Sequence, residues 1–558
     1  MSNKKKKNIL IFGLDGVTFA LLDKWMENGD LPYLSKLVKG GVRADLRSTL
    51  PPVTGPAWTS FQTGTNPGKH GIFDWGSSEE GSYGEGMVDS THIQTDTIWE
   101  ILSRAGREVG VIGLPVTYPP REVRGFVLTG LLTPNNADDY IYPKSLEGDI
   151  RDAAGEYVTA PAHAEMALNT RAWIRELNGS IENREKVSIR LLRDQPWDVS
   201  LVYFMETDTV MHHLYHTLDD KDNRLRSGLR SVADPVLTIH QRVEQAVHHI
   251  IDEVAEPHTD IILVSDHGFG PLDWIFNVNS WLWREGYLSL KDRWFTKAKR
   301  IMQKVGINQK NLYHLGNLLG PLGRSKKWDM QGFNDILGRM FLSMDDVDWE
   351  DTKAFSRGGV TGEIRLNIQG RGSPSGVDPS EVQSLREQLI TDLEEIRSPY
   401  TGENVVDKVL ERELVYSGPQ SHLGPDILFT TKDMRTDTGG LTVFKSMKPI
   451  MPTFALTGTH RMEGIFVGSG PSFKAGARLD ELSIMDMAPT LLNLLDLPIP
   501  SYMDGRPAKA SLASSFSKEH PPRYKEVKLS SPEDRGQGKT DGEDEEIRER
   551  LKSLGYLS

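Results

Sequence analysis

Apolar residues in the first half of the chain come in short unbroken runs, separated by longer stretches of helical period. Ile9–Leu14, Val109–Leu114, Phe126–Leu128, Leu201–Phe204 and Ile261–Val264 are the runs, and Phe19–Met26 carries the helical spacing. A strand with one face in water alternates apolar and polar residues, whereas a run that is apolar throughout has both faces buried. Such runs alternating with helices predict an α/β fold, a mostly parallel central sheet with helices on both faces. Most of these runs give way to polar residues, and functional groups in such sheets gather just past the carboxyl ends of the strands.

The rhythm breaks over residues 275–415. Trp281–Leu290, the basic stretch Lys297–Lys304 and Gly320–Trp328 fit no strand-helix alternation, while Glu363–Ile368 alternates as a strand and Pro379–Ile396 reads as an amphipathic helix. An inserted cap region over the sheet is expected here. Asp426–Phe429 and Ile465–Val467 read as returning core strands, and Ser483–Leu495 as a helix with one apolar face. From about residue 512 the chain turns polar and Ser-rich, the composition of a disordered linker, with Glu545–Leu557 able to form a short amphipathic helix that docks on the body or on a partner. The expected division is a catalytic core in two parts, 1–274 and 416–511, an inserted cap or substrate region at 275–415, and a flexible tail at 512–558.

Composition narrows the chemistry. The 558 residues carry a net charge of −13, which argues against a general nucleic-acid binder but not against a local pocket for a small phosphorylated substrate. With no cysteine, disulfides, thiolate metal sites and a cysteine nucleophile are excluded, so any transition metal is held by His and carboxylate. The lysines before Asn8–Leu14 imitate the start of a signal peptide, but the apolar run is short and Asp15 follows it; a solvated basic arm and a buried strand are expected. No run approaches the roughly 20 apolar residues of a membrane span, and a cytoplasmic location is the expectation. Oligomeric state is left open.

The candidate chemistry lies at strand ends and in loops. Asp15 follows Ile9–Leu14; Asp208 lies beyond Phe204, with His212 one helical turn further on; Asp266-His267 follows Ile261–Val264; His460 sits in a Gly/Thr loop. Three carboxylates and three imidazoles suit two divalent ions of Zn²⁺-like preference, with Mn²⁺ as the alternative. Two ions about 3.5–4 Å apart can clamp the attacking and leaving oxygens of a displacement at phosphorus. Thr54, among prolines ahead of the expected helix Trp58–Thr63, is the candidate nucleophile and a seventh ligand, because a helix N-terminus favours an anionic oxygen. His213 and His216 read as packing histidines, His70 as a loop stabiliser, and Lys297–Lys304 with Lys326-Lys327 as solvated charge.

Taken together, these pieces resemble the nucleotide pyrophosphatase/phosphodiesterase branch of the alkaline phosphatase superfamily. The matching segments are Leu14-Asp15-Gly16, Val53-Thr54-Gly55-Pro56, Thr63-Gly64-Thr65-Asn66-Pro67-Gly68-Lys69-His70-Gly71-Ile72, Asp208-x-x-x-His212, Ser265-Asp266-His267-Gly268, Gly458-Thr459-His460, Gly468-x-Gly470-Pro471 and Asp486-Met487-Ala488-Pro489-Thr490. They occur in the family's order across roughly residues 8–510, apart from the insertion. The resemblance implies an alkaline phosphatase-like fold, one ion on Asp208, His212 and His460, and a second on Asp15, Asp266 and His267. It further implies that Thr54 faces both and forms a covalent phosphothreonine while cleaving a phosphodiester or phosphoanhydride. A phosphomutase and a phosphomonoesterase of the same superfamily are the alternatives. One departure stands out: relatives carry an Asn after the proline of the nucleophile turn, where this chain has Ala57, so a backbone N–H, Trp58 or a cap group would have to replace its phosphate contact.

Overall fold

The computed structural model describes residues 7–77, 86–161, 170–219, 234–305, 311, 341–371, 375–438, 444, 446–454, 456–529 and 541–555. The expected segments Gly320–Trp328 and Lys326-Lys327 lie outside these residues.

The apolar runs form the middle of a nine-stranded sheet. Its order is Ala477–Ser483, Val42–Arg47, Glu463–Ser469, Asp260–Val264, Ile9–Leu14, Val199–Phe204, Val109–Ile112, Gly125–Leu128 and Ile141–Tyr142. Glu463–Ser469 and Ile141–Tyr142 run against the other strands. Ile9–Leu14 is flanked on both sides by parallel partners, Val199–Phe204 and Asp260–Val264. Its side chains alternate between two cores: Ile9 and Ile11 face one, Leu10, Phe12 and Leu14 the other. That two-sided burial is why the run carries no polar position.

A four-stranded sheet of Ala354–Phe355, Gly362–Leu366, Ile427–Thr431 and Val406–Glu411 forms a second layer, packed with the helix Val382–Glu394 around its own apolar core. The expectation that Asp426–Phe429 returns to the central sheet is therefore corrected. Ile427–Thr431 pairs antiparallel with Gly362–Leu366 and with Val406–Glu411, and the chain re-enters the central sheet at Glu463. A short apolar strand has the same composition in either sheet, so pattern alone could not assign it.

Two further expectations change. The helix expected at Trp58–Thr63 begins at Thr54, because Pro56 falls in its first turn, where a missing N–H costs no helical bond. The tail after residue 512 is not wholly a linker: Ser514–Glu519 is helical and Tyr524–Lys525 pairs with Ile499–Pro500. The expected terminal helix spans Asp541–Leu554 and docks on the body, with Ile547, Leu551 and Leu554 fully buried in the main core.

Candidate metal centre

Three adjacent parallel strands aim their carboxyl ends at one place. Asp15 comes directly after Ile9–Leu14, Asp266 and His267 just after Asp260–Val264, and Val199–Phe204 leads into the helix Glu206–Leu214 that carries Asp208 and His212 on one face. His460 arrives by another route. The strand Gly268–Pro271 pairs antiparallel with Gly458–Arg461, which sets His460 opposite Phe269 and beside His267. The two imidazoles stack with centroids 3.6 Å apart.

All six side chains are almost wholly buried, as is Thr54. Asp208, His212 and His460 form one triangle: Asp208 Oδ2 to His212 Nε2 is 3.3 Å, Asp208 Oδ1 to His460 Nε2 is 3.4 Å, and the two Nε2 atoms are 2.9 Å apart. His267 Nε2 lies 3.4 Å from Asp15 Oδ1 and 3.3 Å from Asp266 Oδ2. It also lies 4.0 Å from Asp208 Oδ1, so it joins the two groups. Thr54 Oγ1, on the first residue of its helix, is 3.3 Å from the same Nε2.

This donor set fits divalent cations. Nδ1 of His267 bonds the Gly268 carbonyl at 3.1 Å and Nδ1 of His460 the Pro52 carbonyl at 2.7 Å. A carbonyl only accepts, so each Nδ1 carries the hydrogen and each ring turns its Nε2 inward, toward the carboxylates. Both oxygens of Asp208 and Oδ2 of Asp266 face imidazole nitrogens without the geometry of a hydrogen bond. Burial pushes His212 down to about 3 and His267 well below the usual imidazole range. Burial and the Asp208 charge push Asp266 up to about 7, and burial with the charges of Asp266 and Asp208 raises Asp15 well above the carboxylate range. Three crowded carboxylates in a dry cavity call for positive charge that the protein does not itself supply.

Supporting contacts were not visible in the sequence. The Tyr203 hydroxyl donates to Asp15 Oδ2, and Trp58 Nε1 approaches the same oxygen at 3.4 Å. The Thr207 hydroxyl donates to the Asp15 carbonyl at 2.6 Å. A tyrosine in a buried strand reads as packing, and nothing in the VSLVYF run marks its hydroxyl. Gly16, at φ +69°, leaves room that a side chain would fill: a Cβ there would lie 3.0 Å from Asp208 Oδ1. His70 is a buried loop anchor, accepting from the Ile72 N–H at 3.1 Å and donating to Ser60 Oγ at 2.9 Å. His213 packs edge-on against Trp173, and His216 Nδ1 meets Thr457 Oγ1 at 3.2 Å.

A family model described as type I phosphodiesterase / nucleotide pyrophosphatase matches residues 9–321, more than half of the chain. No curated protein matches. Solved structures that resemble the chain include human ectonucleotide pyrophosphatase / phosphodiesterase 5, with 14% identity, a TM-score of 0.44 and coverage of 91% of this chain and 100% of that one. The murine counterpart has 12% identity and a TM-score of 0.45, with coverage of 91% and 100%. An inactive variant of the murine protein in complex with AMP has 13% identity and a TM-score of 0.46, with the same coverage of 91% and 100%. Strand ends, donor set and family match agree: the chain belongs to the type I phosphodiesterase / nucleotide pyrophosphatase family and is a hydrolase of that class.

Proposed function

We propose that the chain is a metal-dependent hydrolase of small phosphodiesters or phosphoanhydrides that works through a covalent phosphothreonine on Thr54. The observation that supports this is the convergence of three buried carboxylates and three buried imidazoles beside one threonine hydroxyl, 3.3 Å from His267 Nε2. Two divalent cations, Zn²⁺ first and Mn²⁺ as the alternative, one on Asp208, His212 and His460 and the other on Asp15, Asp266 and His267, would neutralise the phosphoryl oxygens and acidify the Thr54 hydroxyl.

The protein's own groups do the rest. Thr54 opens a helix, so free main-chain N–H groups and the positive end of the dipole lie beside its oxygen. Its Oγ1 forms the bond to phosphorus as the leaving oxygen departs, and water then displaces Oγ1 from phosphorus. The Gly268 and Pro52 carbonyls hold the His267 and His460 rings in the required tautomer. Tyr203 and Trp58 tie down one oxygen of Asp15, leaving the other toward His267. Because Trp58 is engaged by Asp15, it is a poor substitute for the asparagine that Ala57 replaces. A main-chain N–H of the nucleophile turn or a group of the second layer is the better candidate for that phosphate contact.

The test is hydrolysis of an aryl phosphodiester by protein loaded with Zn²⁺ or Mn²⁺. Activity is expected to vanish with chelator and in Thr54→Ala. Full activity in Thr54→Ala would end the nucleophile assignment, and full activity in chelator would end the metal assignment.

A further inference from the structure

Between His267 and His460 in the chain, one helix is built inside out. Trp294–Lys304 is held to the second layer by its polar side chains. Thr296 Oγ1 donates to Asp346 Oδ1 at 2.8 Å, Lys299 Nζ bonds Asp346 Oδ2 at 2.8 Å, and Gln303 Nε2 donates to the Phe444 carbonyl at 3.0 Å. Thr296 and Gln303 are buried. The opposite side is apolar and open: Trp294 is 69% exposed, Phe295 59%, Ile301 60% and Val305, just past the helix, 70%. Residues 294, 298, 301 and 305 fall on one stripe at helical period. A helix at a protein surface ordinarily does the reverse, because leaving large apolar side chains in water is unfavourable.

The charge around this stripe is also unusual. Residues 293–305 contain Arg293, Lys297, Lys299, Arg300 and Lys304 and no acidic residue, in a chain whose net charge is −13. Lys299 is neutralised by Asp346, and Arg300 lies over the Trp283 ring at 4.9 Å. Lys297 bonds the exposed Asp292, a contact of small energetic weight in water. Lys297 and Lys304 therefore flank the apolar stripe, with an aromatic pair, Trp294 on Phe295, at one end.

We propose that this helix is an interfacial docking element for an anionic lipid surface. Trp294, Phe295, Ile301 and Val305 enter the boundary between headgroups and acyl chains while Lys297 and Lys304 extend to lipid phosphates. Apolar insertion, a flanking basic rim and aromatic anchors are what such a surface selects, and the helix lies in its plane rather than across it. No helix among the described residues is long and apolar enough to cross a membrane, so contact of this kind is peripheral. The inference is independent of the hydrolytic reading.

The test is flotation of the full-length chain with vesicles of phosphatidylcholine alone and of phosphatidylcholine with phosphatidylglycerol. The chain is expected to float with the anionic vesicles only and to be released as salt rises. Trp294→Ser with Phe295→Ser is expected to abolish flotation, and Lys297→Glu with Lys304→Glu to lower partitioning by about tenfold or more. Unchanged melting of both double variants would show that the fold is intact. No flotation of the parent chain, or flotation that survives the serine pair, overturns the proposal. So does a dimer, seen by light scattering, that the serine pair dissolves; the stripe would then be a contact between copies. A fall in melting temperature of the serine pair without vesicle binding overturns it too, placing the stripe against the chain itself.

Discussion

Gly555 lies against the ring of His212: a Cβ built on it would sit 2.9 Å from His212 Cβ and 3.0 Å from Cγ, at a backbone φ of +97°. The terminal helix Asp541–Leu554 brings it there. That helix is tied to the body where Asp544 accepts from the Met87 N–H at 2.9 Å and Arg550 donates to the Thr133 carbonyl at 2.6 Å. Main-chain groups of Ser553 and Leu554 also bond His213, next to His212. The tail thus backs the helix that carries Asp208 and His212. Gly555→Val is expected to displace the His212 ring and lower affinity for Zn²⁺ by about tenfold or more, with a stability cost of about 1–2 kcal/mol for the left-handed backbone. Removing residues 541–558 is expected to cost more, since Ile547, Leu551 and Leu554 are each worth roughly 1.5–3 kcal/mol of burial. Competition against a Zn²⁺ indicator and calorimetry separate the two effects. Unchanged affinity in Gly555→Val would show that His212 does not depend on this contact.

How much of this was readable in advance follows from where each residue sits. Asp15, Asp266 and His267 each end an unbroken apolar run, and parallel strands bring such ends to one rim, so chain order alone carried them to one place. Asp208 and His212 needed only helical spacing after a third such run. His460 is different. Its position depends on Gly458–Arg461 pairing with Gly268–Pro271, a long-range register that no local pattern encodes. Tyr203 was hidden because aromatic residues in buried strands are ordinary packing. The true start of the Thr54 helix was masked by Gly55 and Pro56, which usually signal turns. The helix Trp294–Lys304 was hidden because its lysines read as solvated charge, and the partners that turn Thr296 and Gln303 inward, Asp346 and the Phe444 carbonyl, lie far along the chain.

Tyr203→Phe tests the support of the centre rather than its ligands. The ring packs edge-on against Trp58, with centroids 5.4 Å apart, and phenylalanine keeps that contact. What is lost is the hydroxyl that fixes Asp15 Oδ2, leaving Trp58 Nε1 at 3.4 Å as its weaker partner. Metal affinity is expected to fall by about 10–100-fold, while unfolding free energy changes by no more than about 1–3 kcal/mol. Equal affinity of variant and parent in the indicator titration would assign Tyr203 to packing alone.

His70 gives a pH signature apart from the metal centre. Burial pushes it down to about 3 from the ordinary 6.5, so the folded protein holds it neutral, donating to Ser60 and accepting from the Ile72 N–H. The unfolded chain binds a proton below about 6.5 and the folded chain does not, so stability present above 6.5 is lost as pH falls toward 3. At pH 5 this one group is expected to remove about 2 kcal/mol. Urea unfolding at pH 7 and pH 5 measures it: the difference between the two pH values should shrink by about that amount in His70→Asn. If the variant keeps the parent's full pH dependence, His70 is not a source of it.

Asp266→Asn separates the charge of the centre from its folding. Without cations, burial first and the neighbouring carboxylates second oppose ionisation here, pushing Asp266 up to about 7 and Asp15 above its usual range. Chelation is therefore expected to lower the melting temperature of the parent chain, reversing a linkage worth about 4 kcal/mol at a thousandfold excess of metal over its Kd. The asparagine variant loses a ligand but also one of three buried carboxyls whose ionisation is opposed. In chelator it is expected to melt above the parent, and in Zn²⁺ below it, so that the two curves exchange order. Calorimetry of both proteins in both conditions decides the matter. A parent chain that melts at the same temperature with and without chelator would mean that these six side chains fold without drawing on bound cations.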